Sequence, residues 1–184
     1  MAADTVVDRV EQIVQQPYTS LGTALTTFAG QNVGAGKLDR VHDGTRAGGL
    51  IGICYALCVF VVVYFFGDSI AALFLDSKEA EIVTMCHRFL ITLSSFYICL
   101  LGVNLFRFTI QGMGYSRYAM FAGFFEMVAR GGLAIGLVPQ FGFQAGCFAS
   151  PAAWIMADLF LIPTYFACMK KLGYQKPEKA AKSR

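Results

Sequence analysis

At 184 residues the chain is short enough for one domain, and its composition excludes most soluble architectures. Hydrophobic residues make up 56 % and charged residues 15 %, where a soluble domain carries about 25 % charged residues. The mean hydropathy of +0.55 and the abundance of Leu, Phe, Val and Ile exclude disorder. The net charge of +3 is no nucleic-acid footprint, because the 15 Lys and Arg lie between apolar runs or near the C-terminus. A lipid bilayer is the solvent that suits such a chain.

In chain order, the first sixteen residues carry Asp4, Asp8, Arg9 and Glu11 and no apolar core segment, so they are not a signal peptide. Val6, Val7, Val10, Ile13 and Val14 recur at helical spacing, which predicts an amphipathic helical stump. Residues 12–36 are uncharged but only weakly apolar, being rich in Thr, Ser and Gly. Residues 47–67, 89–106, 118–138 and 147–169 are strongly apolar runs, the fourth span interrupted by Glu126 and Arg130 and the fifth by Asp158. A hydrocarbon core of about 30 Å needs roughly 20 helical residues. Backbone groups in lipid must be satisfied internally, and the absence of period-two alternation selects helices over a barrel. The reading is an all-α membrane protein of about five transmembrane helices, divided as 1–169 for the membrane lobe and 170–184 for a basic tail.

Connections at 34–46, 76–81, 112–117 and 139–146 alternate sides of the membrane. One side receives Lys37, Arg40, Arg46, Arg117 and the C-terminal Lys170, Lys171, Lys176, Lys179, Lys182 and Arg184; the other receives Lys78 and Arg88. The positive-inside rule makes the first side, with the C-terminus, cytoplasmic in a multi-pass cell-membrane protein.

Ionisable groups within spans are costly and face a bundle interior or a wet cavity. Glu126 and Arg130, four apart, are expected to neutralise each other on one helix face, with a transport-pathway element as the sharper alternative. Arg107 is expected to snorkel to the interface, four residues before Gln111. Asn104 is deeper and a better cavity candidate. Asp158 lies mid-span with no cation near it in sequence, so it must meet a partner from another helix, water, or a proton. His42 and His87 read as solvated interface residues, and Pro17, Pro139, Pro151 and Pro163 as helix starts or bends. The six cysteines read as apolar packing residues rather than a disulfide framework or metal site; Cys54 and Cys58 share a helix face without His or carboxylate nearby. Gly34-Ala35-Gly36-Lys37 lacks the strand and spacing of a phosphate loop, and no nucleophile elbow or metal-ligand cluster is present, so the chain does not read as an enzyme.

The segment from Pro17 to Lys37, closing on Gly30-Gln31-Asn32-Val33-Gly34-Ala35-Gly36-Lys37 and followed by Asp39-Arg40-Val41, resembles a signature of the multidrug and toxic compound extrusion (MATE) transporters. Gln111-Gly112-Met113-Gly114, Glu126-Met127-Val128-Ala129-Arg130, Ala149-Ser150-Pro151-Ala152-Ala153-Trp154 and Ala157-Asp158 resemble later segments of the same lobe, in the family's order. The family has twelve helices in two lobes, and the chain is similar to the end of the seventh helix through the twelfth, with Met1 an internal start or fragment boundary.

The resemblance implies part of a secondary antiporter that exports cationic or amphiphilic compounds by alternating access, incompetent without the missing N-terminal lobe, which the same chain or a second copy would supply. It implies no cofactor beyond Na+ or H+ as coupling ion. It assigns Gln31, Asn32, Asn104 and Gln111 to cavity lining, gating or loop anchoring, and the intramembrane charges Arg107, Glu126, Arg130 and Asp158 to holding the lobe together. The span at 89–106 lacks the carboxylate that one branch uses for coupling. The alternatives are a flippase for lipid-linked saccharides, weakened by the few intramembrane cations, and a structural subunit of a membrane complex.

Overall fold

Residues 7 to 32 show why the first element is helical and which way it faces. Val7, Val10, Val14, Tyr18, Leu25, Ala29 and Asn32 recur every three or four residues and are all buried. The opposite stripe of Gln12, Gln16, Thr19, Ser20, Thr23, Thr27 and Gln31 is exposed. In the computed structural model, which describes residues 2–74, 80–136 and 143–174, this pattern forms one helix, α1 (Ala2–Gly34). The described residues continue as α2 (Leu38–Phe74), α3 (Ala80–Ser95), α4 (Tyr97–Gly112), α5 (Ser116–Gly136) and α6 (Phe143–Lys171), with no strand among them.

The amphipathic N-terminal piece is helical as expected, and residues 2–16 run on without a break as the first half of α1. Pro17 lies within that helix. Its missing N–H frees only the Ile13 carbonyl, and Ile13 is exposed. One residue on, the Tyr55 hydroxyl of α2 donates to the Val14 carbonyl at 3.2 Å, and the Tyr18 and Tyr55 rings meet edge to face at 5.0 Å. Tyr55→Phe is expected to lower stability by about 1 kcal/mol, measured by thermal unfolding in detergent; an unchanged midpoint would mean that the proline turn does not need the hydroxyl.

The 34–46 connection is also shorter than expected. Only residues 35–37 lie between α1 and α2, because Leu38 to Arg46, though polar, continue the helix outside the apolar stretch. The third span is not straight: α3 and α4 bend by 48° at Phe96, between Val83–Ser95 and Tyr97–Gly112. Two adjacent serines help explain it, since Ser94 and Ser95 both direct their hydroxyls to the Ile91 carbonyl, at 3.0 and 2.8 Å, in competition with the helical N–H ladder. Among the described residues, Leu38–Ile70 and Phe148–Lys171 are long and apolar enough to cross a membrane alone, and the bent pair together supplies a third crossing. At 33 and 21 residues, α1 and α5 reach roughly 50 and 30 Å at about 1.5 Å per residue, but each carries polar groups. The outer faces of α2, α5 and α6 expose Leu57, Phe65, Met120, Phe124, Leu159 and Phe166, among others, as expected of surfaces solvated by lipid.

Three helices end alike. Gly36, Gly114 and Gly173 have φ of 68, 88 and 95°. Each is followed by an N–H that bonds five residues back, Lys37 to Asn32, Tyr115 to Ile110 and Tyr174 to Met169. These are Schellman endings, which need a residue free to adopt positive φ. The three ends also meet in space. The His42 ring at the start of α2 lies 3.4 Å from the Tyr165 hydroxyl and 5.4 Å from the Tyr174 ring, and Lys171 lies over the Tyr115 ring at 5.6 Å. Lys37, Arg40, Arg117, Lys170 and Lys171 are therefore gathered at one end of the bundle. The 76–79 and 139–142 parts of the other connections, Pro139, and the tail beyond Tyr174 lie outside the described residues.

Candidate functional site

At the centre of the bundle α4 touches α1, α2, α5 and α6. Its contact with α1 is close because of small residues: the Thr26 hydroxyl donates across to the Phe108 carbonyl at 2.9 Å, and Gly112 lies directly against the Thr26 carbonyl and Ala29.

On the far side of α4, Arg107 reaches α5 and pairs with Glu126. Both side chains are largely buried, at 25 % and 18 % exposure. Two expectations are corrected here. Glu126 pairs across helices rather than with Arg130, and Arg107 turns into the bundle rather than snorkelling. The reason is tertiary: α4 and α5 are joined by the short 113–115 turn and lie side by side, so a guanidinium on α4 meets the carboxylate more directly than Arg130 one turn along α5. Arg130 is exposed and acts electrostatically on Glu11 of α1. Glu11 was not singled out from the sequence; its partner Gln15, four residues on and bonded to it at 2.8 Å, was the available signal.

Asp158 completes the cluster from α6. The charged groups acting on it are Glu126 and Arg107. Its carboxylate lies against Gly102 of α4, where an added Cβ would stand 2.6 and 2.7 Å from the two oxygens. Within this cluster Asp158 Oδ1 and Arg107 Nε are buried without hydrogen-bond partners. Beside it, Gly123, Glu126, Met127, Arg130 and Gly131 line an open groove of about 570 Å³ on α5. A smaller hollow of about 250 Å³, lined by Ala56, Leu57, Phe60, Ser94, Ser95 and Ile98, sits beside the α3–α4 bend.

The four uncharged candidates are placed differently. Asn104 bonds the Leu100 carbonyl at 2.9 Å, along its own helix and one turn from Arg107. Asn32 is buried, its amide donates to the Phe28 carbonyl at 2.8 Å and its own carbonyl receives Lys37; it fastens the α1 ending. The Gln111 carbonyl does the same for the α4 ending by accepting from Gly114. Gln31 is exposed on the polar stripe of α1. At the opposite end of the bundle, His87 is not a free interface histidine. Its Nδ1 lies 2.7 Å from Asp68 Oδ1, and its ring packs on the Gly67 backbone. Cys86 and Cys168 are buried and Cys99 partly so, while Cys54 and Cys58 are exposed on α2; none of the five is in a disulfide.

Comparison with known proteins gives this arrangement a family. The MatE family model matches residues 1–135. The probable multidrug resistance protein YoeA of Bacillus subtilis is 37 % identical over 98 residues, which is 53 % of this chain and 21 % of YoeA. Among solved structures, a MOP superfamily transporter from Pyrococcus furiosus, described as having a binding pocket of reverse polarity, superposes with a TM-score of 0.86 at 18 % identity, covering 95 % of this chain and 39 % of that one. An outward-facing multidrug resistance MATE family transporter does so with a TM-score of 0.86 at 19 % identity, covering the same shares. The chain thus spans about a fifth of its curated relative and two fifths of the solved transporters. With most of its length matched by the family model and its helices arranged as in those membrane transporters, the chain belongs to the MatE family.

Proposed function

We propose that the chain is part of a multidrug efflux transporter. Completed by a second lobe, from the same chain or another copy, it exports small amphiphilic or cationic compounds across the inner membrane by alternating access, in exchange for Na+ or H+. The observation that carries this reading is the polar stripe of α1. Seven uncharged hydrogen-bonding side chains from Gln12 to Gln31 line the exposed side of a membrane-length helix, where lipid is a poor neighbour and a water-filled cavity between lobes is a good one. Thr19, Thr23 and Thr27 each return their hydroxyl to the carbonyl four residues earlier. Such a wall tolerates both wet and apolar company, as a cavity that opens to alternate sides requires. The bend at Phe96 supplies a joint of the kind that broken transporter helices use. The basic end gathered around Gly36, Gly114 and Gly173 supports a cytoplasmic C-terminus.

An anionic lipid-linked substrate would need unpaired cations in the cavity, whereas Arg107 is committed to Glu126. The test uses a cysteine-free background in the complete protein. Cysteine at Thr23 should react with a membrane-impermeant maleimide, cysteine at Leu57 or Phe124 should not, and Thr23→Leu with Thr27→Leu should cut export of a fluorescent organic cation several-fold. Unreactive Thr23→Cys in a complete protein that exports none of the cation would leave a structural membrane subunit as the better account.

A further inference from the structure

The end of the bundle that carries Lys37, Arg40, Arg117, Lys170 and Lys171 is not uniform in charge. On the α2 side its cations are interleaved with acids: Asp39 and Asp43 both act electrostatically on Tyr174, with Arg46 opposing them. On the α5–α6 side there is no acid. Residues 112–125 and 159–174 hold Arg117, Lys170 and Lys171 and neither Asp nor Glu. Among the described residues these three cations have no salt-bridge partner. Lys171 rests over the Tyr115 ring at 5.6 Å, and the Tyr118 ring lies 6.0 Å from the same ring. Cations gathered around one aromatic pair repel each other until an anion lies among them.

Beside these cations the helix pair is apolar. Arg117, Phe121 and Phe124 recur at helical spacing along α5, and Leu159, Phe166 and Lys170 along α6; all six are exposed. The two helices run antiparallel, since the start of α5 and the end of α6 meet at Tyr115 and Lys171, and Phe125 packs on Phe160 between them at 4.9 Å. At about 100° of rotation per residue, each stripe turns away from that contact by roughly a right angle, and the opposite chain directions put both on the same side of the pair. Each apolar stripe therefore ends in a cation at the same end of the bundle.

We propose that this outer face of α5 and α6 holds an anionic phospholipid, with its phosphate among Arg117, Lys170 and Lys171 and its acyl chains along the two stripes. Charge selects this occupant. A zwitterionic headgroup brings an ammonium to three cations with no acid beside them to receive it, whereas phosphatidylglycerol brings none. A soluble anion would satisfy the cations and leave the stripes uncovered. A second copy of this chain, meeting the face by two-fold symmetry, would set the same three cations against their own kind. The proposal needs only the membrane-spanning fold; the leaflet that supplies the lipid follows from the cytoplasmic assignment of this end.

The test is native mass spectrometry of the complete protein in detergent, with dioleoylphosphatidylglycerol and dioleoylphosphatidylcholine supplied together at equal concentration. Phosphatidylglycerol should be retained in preference. Arg117→Gln with Lys170→Gln and Lys171→Gln should cut its retention roughly tenfold. Lys37→Gln with Arg40→Gln and Arg46→Gln, which removes the same charge from the same end beside Asp39 and Asp43, should cut it far less. Phe121→Ala with Phe166→Ala should weaken retention of both lipids and keep the preference. Equal retention of the two lipids, equal losses in the two triple variants, displacement of the lipid by inorganic phosphate, or a lipid-free homodimer each overturns the proposal. Should the first triple variant fail to fold, Arg117→Gln and Lys170→Gln alone decide by the same comparison with Lys37→Gln. Retention in detergent involves neither transport nor sidedness, so failure of the export reading through the Thr23 and Thr27 variants would leave this result standing.

Discussion

Arg107→Met is expected to destabilise the protein by about 3 kcal/mol, the size associated with removing one partner of a buried ion pair. The variant leaves Glu126 at 18 % exposure beside a second carboxyl, Asp158, with no counter-charge between them. Proton uptake by the acids limits the loss, and the residual exposure of the pair places it at the lower end of that range. Glu126→Gln should be milder, because the guanidinium can turn to Asp158 Oδ1, which is buried and unpaired. Replacing both by Met should recover most of the stability, since apolar residues of similar volume often match a buried pair. Thermal unfolding in detergent checks all three. If Arg107→Met cost less than about 1 kcal/mol, the pair would be behaving as a screened surface bridge, and the cluster would lose its organising role.

The second large effect is expected at the α1–α4 crossing. Gly112→Val places a branched side chain where even a Cβ would collide with the Thr26 carbonyl and come within 2.9 Å of the Ala29 methyl. Those neighbours are backbone and a short side chain, which cannot rotate away, so the helices must separate. Separation would break the bond from Thr26 to the Phe108 carbonyl and loosen the buried Leu25 and Leu105 nearby. Overpacking of this kind costs about 3 kcal/mol, and the same substitution at Gly123, which has nothing within 4 Å, should cost a small fraction of that. Equal midpoints for the two variants would show that the crossing is not close in the membrane.

Much of this protein is legible as a sequence because lipid simplifies the problem. Backbone groups must pair within each segment, so long apolar runs become helices, and Lys and Arg counts in the loops order the two sides. The ordered motifs from Gly30-Gln31-Asn32 to Ala157-Asp158 carried the family resemblance, and the family model and solved transporters agree with it. The glycine of each turn motif has a visible reason in the positive φ of Gly36 and Gly114.

The tertiary structure decided what depends on distances between helices. Spacing four apart put Glu126 beside Arg130 on paper, yet contact between α4 and α5 gives Glu126 to Arg107. Asp158 had no partner legible within its own span, because both charged neighbours come from other helices. His87 acquires Asp68 in the same way, from α2. Along-chain periodicity fixes which residues share a face, whereas an intramembrane charge is settled by whatever the neighbouring helix presents at the same depth.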